Sequence, residues 1–198
     1  MAFIVPGLVM MAVINNSFAN VVGSFFSSKF QRNIEEMLVS SMPNWIILLG
    51  YTIGGVLRGI LVGILVFFVS ILFTHPHIHS MTVIFLFIIL SSMLFSLGGL
   101  LNGIFAKKFD DVSIFPTFIL TPLTYLGGVF YSIHSLPFFW QKISLLNPIL
   151  YMVNGFRYGF YGISDVNILS SLLILLFFTI IMFVVNIYVF NKGYGLKA

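Results

Sequence analysis

Cysteine is absent from the 198 residues, which excludes disulfide frameworks, thiolate metal sites and cysteine nucleophiles. Charge is nearly as scarce. Asp, Glu, Lys and Arg make up 7% of the chain, against about a quarter in a soluble domain. The sequence also lacks internal repeats, low-complexity tracts and any stretch resembling a soluble domain. With 60% hydrophobic residues and a mean hydropathy of +1.12, the chain cannot cover itself with a water-compatible surface. It reads as an all-α integral membrane protein. The net charge of +4 comes from scattered bases that sit where membrane topology would put them, so nucleic acid is not an expected partner.

What is present in quantity is long apolar runs, and they predict five spans, about 2–22, 46–73, 81–105, 112–131 and 168–190. The first contains Pro6-Gly7 and the polar patch Asn15-Asn16-Ser17, and it lacks the basic leading segment of a signal peptide. The second exceeds a single perpendicular crossing of a core about 30 Å thick. Arg58 inside it is expected near one end, reaching the headgroups by snorkelling. The fourth holds Pro116 and Pro122 and should kink near each ring.

Residues 135–162 are too broken to cross. Ser135 can cap a helix opening at Pro137, and Asn147 can cap another opening at Pro148. Pieces of about 15 Å and 21 Å fall short of the membrane thickness. They predict a re-entrant or interfacial helix pair whose aromatics favour the bilayer interface. With five spans, Lys29, Arg32, Lys107, Lys108, Lys192 and Lys197 lie on one side, and Lys142 and Arg157 on the other. The excess places the first side in the cytoplasm. That orientation puts Met1 outside, in a chain that starts abruptly in apolar sequence, so an upstream segment with at least one more span is expected.

The one strongly polar interior stretch, residues 25–43, reads as a short amphipathic helix on the cytoplasmic side. Ser28 with Gln31 has the spacing of a capping box. Phe30, Ile34, Met37 and Leu38 fall on one apolar stripe. Arg32 stands three and four residues before Glu35 and Glu36, the spacing at which helical side chains meet. Such a helix can present a charged face to a partner in the water; the plain alternative is a solvated loop helix.

Other candidate chemistry is thin. His75, His77 and His79 alternate, and three imidazoles on one side of an extended chain can hold Zn²⁺ or Cu²⁺, yet no Asp or Glu stands nearby and a polar loop is the favoured reading. Asp110-Asp111 suggests an intramembrane protease, but both adjoin Lys107-Lys108 at a span boundary, where solvated charge is ordinary. Gly50/Gly54, Gly55/Gly59/Gly63 and Gly99/Gly103 form faces that let helices approach closely, within one subunit or between two. The spans hold almost no ionisable group, so a proton-coupled carrier is poorly served. Driving force is expected from elsewhere, and the cytoplasmic helix is where it can enter.

Phe3-Ile4-Val5-Pro6-Gly7-Leu8, residues 29–38, Phe105-Ala106-Lys107-Lys108-Phe109-Asp110-Asp111, Asn147-Pro148-Ile149-Leu150-Tyr151 and Gly155-Phe156-Arg157 together resemble the ABC-2 permease family of bacterial inner-membrane proteins. The resemblance covers essentially the whole chain. It implies a permease bundle of six spans when complete, a homodimer or pseudo-dimer, and a separate ATP-binding subunit that holds ATP and Mg²⁺; this chain would carry no cofactor and no ATPase site. It implies that residues 25–43 dock on that subunit, with Arg32, Glu35 and Glu36 as polar contacts and Phe30, Ile34 and Leu38 seating the helix on the bundle. Residues 135–162 would be an outer hairpin built by Pro137, Asn147, Pro148 and Arg157, which serve structure and not substrate. The function implied is ATP-driven export of an unidentified cargo, an amphiphilic or lipid-linked one suiting the apolar spans. A carrier or channel without an ATPase is the alternative.

Overall fold

Backbone buried in lipid has to satisfy its own hydrogen bonds, and a helix does so within one segment. All regular elements among the described residues are helical. The computed structural model describes residues 3–40, 42–72, 78–193 and 195. Four helices in it are each long and apolar enough to cross a membrane: α1 (Ile4–Phe30), α3 (Asn44–Ile71), α4 (Met81–Phe105) and α9 (Ile168–Lys192). Between the first two lies α2 (Asn33–Val39).

α1 outruns the apolar segment predicted for it. Pro6 sits in its first turn, where a missing N–H costs nothing, and no later proline interrupts it. Ser28 is therefore interior to α1, its hydroxyl bonded back to Ser24 O at 3.0 Å, and not the first residue of a separate helix. The chain turns only at Arg32, whose φ of 63° is left-handed.

The predicted fourth span is helical from Phe109 to Leu126 in three pieces: α5 (Phe109–Phe115), a π-helical turn (Pro116–Leu120) and α6 (Thr121–Leu126). Proline supplies the reason. Pro122 has no amide to offer, and just before it the Thr121 amide reaches back to Pro116 O, which also accepts from the Thr121 hydroxyl at 3.0 Å. The helix stops at Gly127 and Gly128, the latter at φ 72°, short of Tyr131. A 3₁₀ turn (Ile133–Ser135), α7 (Phe138–Leu145) and α8 (Pro148–Tyr161) then lead to α9.

α1 runs through the centre of the bundle. Its residues contribute to both hydrophobic clusters, the larger holding Met10, Ile14 and Phe18 and the smaller Val21 and Phe25. Small residues let α3 and α4 approach it. A β-carbon on Gly55 would overlap Val21 and Ser96, one on Gly59 would overlap Ser17 and Ser92, and one on Gly99 would meet the Phe18 backbone. These glycines thus pack within the chain. Gly50 and Gly54 do not: the space beside Gly50 is open, and Gly54 has only Asn20 Nδ2 at 3.9 Å.

Arg58 lies well inside α3. Because α3 reaches back to Asn44, Arg58 stands about 21 Å along the axis from that end, midway along the helix. It is exposed there and donates from Nη1 to Asn20 Oδ1 at 3.1 Å.

Candidate functional site

The polar interior stretch folds as an elbow between α1 and α3. Arg32 breaks the helix, so it is out of register with Glu35 and Glu36, and the predicted capping box and i, i+4 pairing do not form. The apolar stripe is split as well. Phe30 ends α1 and lies against Phe26 and Phe109, with centroid separations of 6.4 and 5.2 Å. Ile34, Met37 and Leu38 belong to α2 and pack on the cluster containing Leu48, Leu97, Leu100 and Phe190. Ile34 is 1% exposed. Arg32, Glu35 and Glu36 all face water. The two carboxylates sit in the first turn of α2, where they complement its free N–H groups.

The elbow is tied to its surroundings by a residue not predicted to have a site role. Lys29 Nζ donates to Ile104 O at 2.7 Å and Ala106 O at 2.9 Å, covering carbonyls that the end of α4 leaves unpaired. The sequence signal was indirect: α4 has no basic residue in its last turn. Beside it, Asp111 Oδ2 accepts from the Lys107 and Lys108 amides at 2.8 and 3.0 Å. These bonds hold its carboxyl below the ordinary value, the flanking lysine charges acting the same way. Its oxygen is used in capping α5, which leaves a protease role without support in the geometry. Asn44 Nδ2, at the start of α3, meets Asn191 Oδ1 at 2.9 Å and closes the same end.

At the far end, α7 and α8 part company. Phe138, Phe139 and Trp140 on α7 are exposed, whereas Phe156 and Phe160 on α8 are buried; the aromatics do not form one interfacial belt. Glycine decides it. β-carbons on Gly155 and Gly159 would overlap Phe87 and Ile84 of α4, so α8 lies flat against that helix. Asn147 stands at the N-cap of α8, accepting from the Ile149 amide at 3.0 Å and donating to Leu123 O at 2.6 Å, with Pro148 at the first helical position. Pro137 precedes α7 with its carbonyl accepting from the Gln141 amide. Ser135 does not cap α7; its hydroxyl bonds Ser132 O within the 3₁₀ turn. Arg157, 2% exposed, ties α8 to the turn after α6 through Gly128 O at 2.8 Å.

A profile described as ABC-2 type transporter matches residues 1–161. The chain belongs to that family. Within it, this ABC-2 chain is 54% identical to the inner membrane transport permease YadH of Escherichia coli K12 over all 198 residues, covering 77% of that protein. A YadH of Shigella flexneri matches to the same extent. Nodulation protein J of Rhizobium leguminosarum bv. viciae is 20% identical over 186 residues, 93% of this chain and 72% of that protein.

Nothing in the described residues of the ABC-2 chain assembles a metal centre: no group of three His, Asp or Glu side chains comes together among them. His75 and His77 lie outside the described residues, as does Lys197. His79 packs edge-on against Tyr158 at 5.3 Å.

Proposed function

We propose that this chain is the multi-pass permease subunit of an ATP-binding-cassette exporter of the bacterial inner membrane. Its cargo moves outward on the strength of ATP hydrolysed, with Mg²⁺, by a separate subunit. Two permease subunits form the path, with the basic end in the cytoplasm, and α7 and α8 re-enter the outer leaflet without crossing it. The family and the inner-membrane name carried by the E. coli relative support the class of transporter.

The observation that carries the coupling role is the elbow at Arg32. One face of α2 is seated on the core through Ile34, Met37 and Leu38; the other offers Arg32, Glu35 and Glu36 to water beside the basic end. A partner pressing on those charges pushes on a helix joined to α1 and α3. Charge reversal at Glu35 and Glu36 together is expected to leave insertion and assembly intact while ATPase activity continues without transport. Normal transport by that double variant, or transport by the permease alone in nucleotide-free liposomes, overturns the reading.

A further inference from the structure

Arg157 is buried but under-used. One nitrogen, Nη2, donates to Gly128 O; Nε and Nη1 meet no hydrogen-bond partner among the described residues. The Phe3 ring lies over the guanidinium at 3.7 Å, which stabilises charge but accepts no hydrogen bond. Asp165 attracts the group through space, yet its Oδ2 is taken by the Ser132 hydroxyl at 2.7 Å and the Ile133 amide at 3.0 Å. One helical turn on, the Tyr161 hydroxyl is a further buried group without a partner among the described residues. Arg157, Tyr161, Phe3 and Ile163 line a single cavity of about 260 Å³.

A guanidinium does not give up its proton, so the unused N–H groups stay charged and the cost of enclosing them persists until an acceptor arrives. Water supplies acceptors without charge; an oxyanion supplies both. We propose that this cavity is a binding site for a phosphate group, carried on a lipid headgroup or free in solution. Two unused guanidinium donors and a tyrosine hydroxyl are more than the two oxygens of a carboxylate serve readily, and a phosphate brings further acceptor oxygens. The volume is that of several waters at about 30 Å³ each, leaving room beside the phosphate for an ester substituent. Phe3, ahead of the first turn of α1 and 36% exposed, covers one face of the guanidinium and leaves its edges to the ligand. Ile163, 65% exposed, borders the mouth with apolar surface fit for a glycerol or acyl chain. The site stands independently of the exporter reading.

The permease, purified in a zwitterionic detergent, is titrated with inorganic phosphate against chloride at matched ionic strength while thermal unfolding is followed. In parallel it is reconstituted in vesicles of the phosphate-free lipid digalactosyldiacylglycerol containing a minority of phosphatidylglycerol, and the retained lipid is counted by native mass spectrometry. Phosphate-specific stabilisation shows that the phosphate group suffices; selective retention of phosphatidylglycerol without it assigns the lipid as the source. Either effect should weaken about tenfold in Tyr161→Phe, which removes one donor to a charged ligand and no volume. It should weaken further in Arg157→Lys, which keeps charge and loses the spread of donors. Stabilisation no greater than that by chloride with no lipid preference, or an unchanged response in Tyr161→Phe, overturns the site.

Discussion

Lys29 reaches from the last turn of α1 to the carbonyl of Ile104 at the last turn of α4, 2.7 Å away. Its ammonium thus joins two bundle helices at the point where the elbow begins. Replacing it by Met keeps the stem and removes both carbonyl contacts. The loss should be about 1.5–3 kcal/mol of local stability, the range for hydrogen bonds to charged groups. Faster hydrogen exchange confined to residues 27–39 and 104–108, with the bundle unaffected, is the expected readout.

Arg32 combines a left-handed backbone with a charge, and two substitutions separate them. Glycine accepts this φ freely, whereas a side chain there costs on the order of 1 kcal/mol. Arg32→Gly should therefore melt at or above the temperature of Arg32→Ala. If the guanidinium serves coupling, both variants lose coupling equally despite that difference. Restored coupling in the glycine variant alone would mean that only the bend matters.

Gly155 tests the seating of α8. Arg157 and Asn147 are held where they are because α8 lies against Phe87 with no side chain between. Gly155→Ala should destabilise by about 1–3 kcal/mol through overpacking, read as a lower unfolding midpoint in detergent. A second change, Phe87→Leu, should recover part of that loss, giving a coupling energy of opposite sign in the double-mutant cycle.

Asp111 predicts a pH dependence. Its folded carboxyl is depressed by the Lys107 and Lys108 amides, so the stabilisation is present above the unfolded value of about 3.9 and is lost as pH falls through the lower folded value. Amide protection at Lys107 and Lys108 should hold at neutral pH and vanish only in strong acid. Asp111→Asn should lack part of it at every pH. Equal protection in the variant at neutral pH would remove the carboxylate from the account.

Much of the bundle could be read from residues alone because its signals are local. α4 and α9 are unbroken apolar runs, and Asn147-Pro148 carries both a cap and a first helical residue in two letters. The break at Arg32 could not be read that way. Phe30 and Ile34 keep helical spacing across it, and the turn goes with contacts distant in sequence, Lys29 to α4 and Phe30 to Phe109. The early stop at Leu126 did have a signal, the Gly127-Gly128 pair, which was outweighed by the apolar residues beyond. The burial of α8 hid behind its aromatic content. The telling feature was the spacing of Gly155 and Gly159, one turn apart on the side that meets α4.

The π-helical turn at Pro116 sits in the segment joining the basic end to the turn that holds Arg157. Within that turn the hydrogen-bonded ring is wider than in the helices on either side, whereas α1 is regular from Ile4 to Phe30. Under the proposed coupling, a displacement at the elbow meets one unbroken helix, α1, and one segment interrupted by a wider turn, Phe109–Leu126.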